Sequence, residues 1–285
     1  MKNQKALTIL PILIVALSLI AASFGAFWMG DGQTFEFTTM HGRTYPIDGR
    51  GIYKYDSLNY ATQARAQDIV TLFIGIPLLI TGTYLNRKKS LRGQLLLTGA
   101  LGYFLYTYTS LVFLAAFNNF FLLYVALFSM SLFAFVLSMM NLNPQEILNR
   151  VSDKFPRRWV IAFSFILAIF LCMSWLGLVV PSIFSGEAPE SLETYTTMVI
   201  QAMDLGIVVP AFVLSAILLL KKNPWGYALS FVVMIKGMMM GAALIAMIIG
   251  QILAGVPSDP VMAVMFSLIC VSGIITSLVM LKNIK

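Results

Sequence analysis

Eight separate apolar stretches, each long enough to cross a hydrocarbon core about 30 Å thick as a helix of about 20 residues, leave this chain few folds. They run Ala6–Met29, Gln67–Leu85, Gly93–Phe117, Phe120–Met140, Trp159–Phe184, Thr196–Leu220, Gly226–Leu253 and Val261–Leu281. In hydrocarbon every backbone polar group must be paired within the protein, which only helices and closed barrels achieve. Barrel strands would read as short alternating segments, and none separates these runs. The fold class is therefore all-α, a polytopic bundle of eight transmembrane helices. Composition points the same way. The chain is 59% hydrophobic and 11% charged, against about 45–50% and 25% in soluble domains, which excludes a soluble globular enzyme, a disordered chain and a disulfide scaffold.

Orientation follows from the basic residues. With the N-terminus inside, one face collects Lys2, Lys5, Arg87, Lys88, Lys89, Arg92, Arg150, Lys154, Arg157, Arg158, Lys221, Lys222, Lys282 and Lys285. The other face keeps Arg43, Arg50, Lys54 and Arg65, all in one loop, and the acids Glu187, Glu190 and Glu193. Such asymmetry predicts a multi-pass protein of the plasma (inner) membrane with both termini cytoplasmic. The formal charge of +7 then meets an anionic inner leaflet, with no call for nucleic acid. Lys2 and Lys5 before an apolar run also fit a signal peptide, but the run exceeds the usual h-region of about 7–15 residues, favouring an uncleaved helix.

The chemistry available is narrow. One histidine, His41, supplies neither a bis-histidine haem nor a zincin motif. Cys172 and Cys270 both lie in apolar stretches, so a disulfide outside the membrane is not expected. No Walker loop, dinucleotide fingerprint, nucleophile elbow or CxxC pair is present, and the sequence names no cofactor.

An internal pattern organises the spans. Pro77, Lys88–Lys89 and Gly93 recur at a shift of 133 as Pro210, Lys221–Lys222 and Gly226, and Phe128–Ser129 recurs as Phe266–Ser267 at a shift of 138. Chance recurrence of helix-ending lysines is the competing explanation. A real repeat gives two parallel four-helix units, residues 1–140 and 159–285, with any central site at their interface. Between them, residues 141–158 form a linker. Asn143 as cap, Pro144 in the first turn and Glu146 behind it start a short helix, and Ile147, Val151 and Phe155 give it an apolar side for the inner leaflet.

Two charges stand inside hydrocarbon. Asp204 lies about 24 Å above the end of its span at Leu220, and Lys236 about 15 Å into the next from Gly226, at 1.5 Å per residue. The short connection Lys221–Trp225 makes their helices neighbours. Leaving either charge alone costs about 2.5–3.5 kcal/mol on insertion scales, so pairing is the expected answer. Such a pair reads as a charge switch in a transport path, as a salt bridge pinning two helices, or as a Schiff-base lysine with its counter-ion; nothing else supports the third.

Under the shift of 133, Lys236 falls on Tyr103, Asp204 on Thr71 and Gln201 on Asp68. Asp68 reads as an acid near the outer surface at a helix start. Tyr103 and Thr107, four apart, share a face that can line a polar interior, while Tyr106 and Tyr108 suit an interfacial belt equally well. The candidate intramembrane site is thus Asp204, Lys236, Gln201, Tyr103, Thr107, Thr71 and Asp68. Pro77 and Pro210 each invite a kink, and Gly237 and Gly241 permit close helix approach.

The outer loop, residues 30–66, is the other place for function. Thr34–Met40 and Arg43–Ile47 pair as a hairpin around His41–Gly42, either as a lid that grips a solute or protein partner or as a plug. Transport or permeation of a small solute, ion or lipid-like molecule near Asp204 and Lys236 is the leading expectation. A sensor or assembly protein using the outer loop is the alternative, and an enzyme would need a reactive set that these residues do not assemble.

Overall fold

The computed structural model describes residues 3–256 and 260–285; Lys2, counted above among the inner charges, lies outside them. Among the described residues eight helices are long and apolar enough to cross a membrane. They are α1 (Ala6–Phe27), α2 (Leu58–Arg87), α3 (Leu91–Phe113), α4 (Phe121–Asn141), α6 (Arg157–Ser185), α7 (Val199–Leu220), α8 (Pro224–Leu253) and α9 (Pro260–Lys282). A seven-residue helix, α5 (Pro144–Arg150), joins α4 to α6, and a hairpin of β1 (Phe35–Thr38) and β2 (Thr44–Ile47) follows α1. The all-α bundle is as expected, but boundaries move, and most of all at the start of α2 and the end of α3. α2 begins at Leu58 rather than Gln67, because Ser57 caps it by accepting the Tyr60 N–H and its first turns are too polar to register as apolar. The loop after α1 therefore closes at Ser57, and Arg65 belongs to a helix. α3 stops at Phe113, short of Phe117.

The proline–lysine–glycine pattern has a local physical cause in both places where it occurs. Proline offers no N–H and clashes with the carbonyl four residues back, and each proline is preceded by one widened turn: Thr71–Gly75 ahead of Pro77, Asp204–Val208 ahead of Pro210. There the Ile76 N–H reaches the Thr71 carbonyl and the Val209 N–H the Asp204 carbonyl, five residues back. The second lysine of each pair, Lys89 or Lys222, takes a left-handed conformation that ends its helix. Gly93 and Gly226 then let the next helix fold back so closely that a Cβ would lie 2.3 Å from Leu85 or from the Leu219 nitrogen.

α3 and α8 form the centre and cross where Gly99 faces Ile235 and Val232. α2 and α4 flank α3, and α7 and α9 flank α8. The outer helices are arranged unequally: α1 packs along α4, whereas α6 scarcely touches α9. Contact across that α6–α9 seam comes from Trp159 Nε1 donating to Thr276 at 2.8 Å, from Phe163 against Gly273, and from Phe170 edge-to-face on Phe266 at 4.9 Å.

At one end, Ile147 of α5 is buried, Asn143 caps it as expected, and Val151 pairs with Ile284 of the C-terminal segment. At the other end the hairpin is tied down by charge. The Asp48 side chain is fully buried and receives both guanidinium nitrogens of Arg65 at 2.9 and 2.5 Å. Asp56 accepts the Ala116 N–H at 2.7 Å and the Tyr195 hydroxyl at 3.0 Å on one oxygen, while its other oxygen is buried without a partner. Burial pushes the Asp56 carboxyl up to about 7 against those two donors. Glu193 accepts from Ser57 and Asn59, and Arg43 and Tyr45 reach the carbonyls of Ala188 and Glu190, so the hairpin lies against the α6–α7 connection.

Candidate functional site

The widened turn of α7 begins at Asp204, and this decides where its carboxylate goes. An extra residue in one turn rotates the side chains on either side relative to a regular helix, and Asp204 comes to rest buried, between α3 and α6. Oδ1 accepts the Tyr106 hydroxyl at 2.8 Å and Oδ2 accepts Trp175 Nε1 at 3.0 Å. Both oxygens are thus satisfied by neutral donors.

Lys236 does not form the direct pair expected for it. Among the described residues no carboxylate lies within 4.0 Å of its ammonium. Instead Nζ sits over the face of Tyr106, 3.9 Å from the ring centroid, a distance at which the ring quadrupole attracts a cation. Tyr106 separates the two charges and links them, its face toward the ammonium and its hydroxyl toward the carboxylate. In the sequence Tyr106 suits an interfacial belt as well as a polar interior, so residue type alone does not reveal this contact. Helical spacing held the clue, since Tyr106 and Tyr103 are three apart and share a side of α3.

Asp204, Tyr106, Trp175 and Lys236 line one cavity of about 220 Å³. Its polar edge is completed by Gln63, Gln67 and Tyr60 of α2, and its body is apolar, with Phe170, Phe212, Met240 and Phe266 among its walls. Trp175 is likewise not among the residues that the sequence singled out. The signal was its position deep within α6, since tryptophans of the interfacial belt sit at helix ends.

The remaining candidates divide between the cavity and its surroundings. Gln67 lines the cavity and donates to Thr107 at 2.8 Å, while Thr71 and Tyr103 share a hydrogen bond at 2.8 Å beneath it. These residues form a polar seam between α2 and α3 that meets the cavity through Gln67. Gln201 lines a separate recess beside Tyr195 and Glu193. Asp68 departs from its expected place. It is no surface acid but a buried one, receiving the Tyr53 hydroxyl at 2.6 Å, and Gly25 of α1 is pressed so close that a Cβ would lie 1.9 Å from its carboxylate. The early start of α2 puts Asp68 well inside the helix, which explains the difference.

No protein-family model matches this chain, and neither a curated protein nor a solved structure matches it.

Proposed function

We propose that this multi-pass membrane protein moves a small molecule through the bilayer by way of the cavity beside Asp204 and Lys236. The observation that carries the reading is a cavity between membrane-spanning helices into which a lysine projects without a carboxylate partner, a costly arrangement that structure alone does not require. Two features support movement as well as binding. α7 contains a widened turn and Pro210 beside the cavity, a place where a helix bends at low cost. The α6–α9 seam is held by a few aromatic and hydroxyl contacts that separation of the helices would release.

In this reading the chain is a tandem repeat of parallel four-helix units. The widened turns begin at Thr71 and Asp204, and the left-handed lysines are Lys89 and Lys222, each pair 133 positions apart. The first unit is closed by α1 against α4; the second is the one that opens. Both termini face the cytoplasm of an inner membrane, where the lysine-rich end meets anionic lipid.

The test is aqueous access. With Cys172 and Cys270 replaced by serine and Met240→Cys introduced, a small charged thiol reagent added to one face of oriented proteoliposomes should label the cavity. A folded protein that resists labelling from both faces overturns the reading.

A partner-binding sensor is the second reading, favoured by the exposed side chains of Phe35, Phe37 and Met40 on the hairpin. It predicts that Phe35→Ser/Phe37→Ser abolishes partner capture and leaves cavity labelling intact.

A further inference from the structure

The two charges at the cavity are not equivalent, and the difference selects a ligand. Asp204 already accepts one neutral donor on each oxygen, from Tyr106 and Trp175, and so is partly stabilised without a ligand. Lys236 is the converse case. Its three N–H donors have no hydrogen-bond acceptor among the described residues: the ammonium lies over the face of Tyr106, and the Asp204 carboxylate stands beyond the phenol, out of hydrogen-bond reach. An ammonium without an acceptor binds one, and most strongly an anionic one. The walls beyond it are of another kind, with Phe170, Phe212, Met240 and Phe266 offering ring faces and a thioether. Methionine adapts its shape to a flexible apolar body better than branched side chains do.

Resting on the reading of the cavity as a passage, we infer that its ligand is an amphiphile with an acidic head, a carboxylate or phosphate, that sits on Lys236 while its apolar body lies among the aromatic and methionine walls. The head accepts from the ammonium and leaves Asp204 with its own donors. Gln63 and Gln67 lie along the polar edge as further donors. The Phe170–Phe266 contact closes the α6–α9 seam between cavity and lipid, so the apolar part of the ligand lies next to the bilayer.

Trp175 provides the readout. The chain has four tryptophans, and replacing Trp28, Trp159 and Trp225 by phenylalanine leaves the one that lines the cavity. In nanodiscs, a bromoalkanoic acid titrated into this protein should quench its fluorescence saturably. Lys236→Met should weaken the quenching at least tenfold and Lys236→Arg should retain it. Gly237→Leu, which pushes a side chain toward Phe212 without touching the charge, should also abolish it. Intact helical content and a monodisperse elution profile identify the variants that fold. Displacement by octanoate but not acetate assigns the ligand to the lipid phase, and displacement by both assigns it to water; either supports an acidic head. Equal saturable quenching by the bromoalkyl methyl ester or the bromoalkylamine, or undiminished quenching in folded Lys236→Met, overturns the inference. Met240→Cys labelling that persists in that event shows that the passage stands and only the ligand class was misread.

Discussion

Tyr106 carries the connection between the two intramembrane charges, so its replacement separates the possible energetics. Tyr106→Phe keeps the ring under Lys236 and removes the hydroxyl that donates to Asp204 at 2.8 Å. A hydrogen bond to a charged group is worth about 1.5–3 kcal/mol, and the buried Oδ1 is left without a donor, so the upper half of that range is expected. Tyr106→Leu also removes the ring face 3.9 Å from the ammonium, worth about 2 kcal/mol when desolvated. Its total comes to about 4–5 kcal/mol. Lys236→Met loses the same ring contact but takes an ammonium out of an apolar site, and the two effects should cancel to within about 1 kcal/mol. Equilibrium unfolding in mixed micelles measures each variant. In double-mutant cycles, Tyr106→Phe with Asp204→Asn should couple by about 1.5–3 kcal/mol, and Asp204→Asn with Lys236→Met by less than about 1 kcal/mol. The reverse order of couplings, or a Tyr106→Phe cost below about 0.5 kcal/mol, would mean that the charges pair directly and that the phenol only fills space.

At the hairpin end, Asp56 binds a proton in the folded state at about pH 7 against an ordinary value of 3.8. The folded form therefore gains stability as pH falls through about 7 and levels off below about 4; melting the protein at both ends of that window should show it, and Asp56→Asn should flatten the profile. Arg65→Met leaves the fully buried Asp48 carboxylate with Arg50 alone, through its backbone N–H at 3.1 Å and its guanidinium at 3.4 Å, at a cost of about 3 kcal/mol, the lower end for a broken buried pair, and Asp48→Asn in the same chain should recover part of it, read by amide hydrogen exchange in the hairpin. Gly99→Ala places a Cβ 2.4 Å from that of Ile235 and forces α3 away from α8, costing about 1–3 kcal/mol or more. Gly177→Ala meets nothing within 4 Å and should stabilise by about 0.5–1 kcal/mol through helix propensity alone. The same unfolding assay measures both.

The spans were legible because hydrocarbon imposes a length and an apolar content that a sequence cannot hide. Their polar ends were not. The first turns of α2 carry Asn59, Gln63 and Arg65 and look like loop until Ser57 is seen as a cap and Asp48 as the partner of Arg65. The depth of Asp204 and Lys236 could be counted from helix rise, but which way each side chain points depends on the widened turn at Asp204–Val208. Pro210 announces a distortion without saying whether it is a kink or an added residue. Tyr106 and Trp175 escaped for a related reason. Aromatic residues near a span's end and those turned inward have the same composition, and only the hydrogen bonds of Tyr106 and Trp175 to Asp204 of α7 tell them apart.

Asp68 and Asp204 show why charge by itself does not locate the site. Each is a buried carboxylate that accepts a phenol, Tyr53 at 2.6 Å in one case and Tyr106 at 2.8 Å in the other. Around Asp68 the space is taken: Gly25 brings the α1 backbone against the carboxylate, and Tyr103, Tyr108 and Tyr124 are buried in the same core. Around Asp204 the corresponding wall is the α6–α9 seam, which stays loose enough to leave a cavity. A lysine in the first environment would have no room, and in the second it has room but no carboxylate. What distinguishes the two environments is therefore how closely the outer helices pack around the carboxylate. Variants that tighten the α6–α9 seam should act on ligand binding as strongly as variants of the lysine, while leaving the Asp204 hydrogen bonds in place.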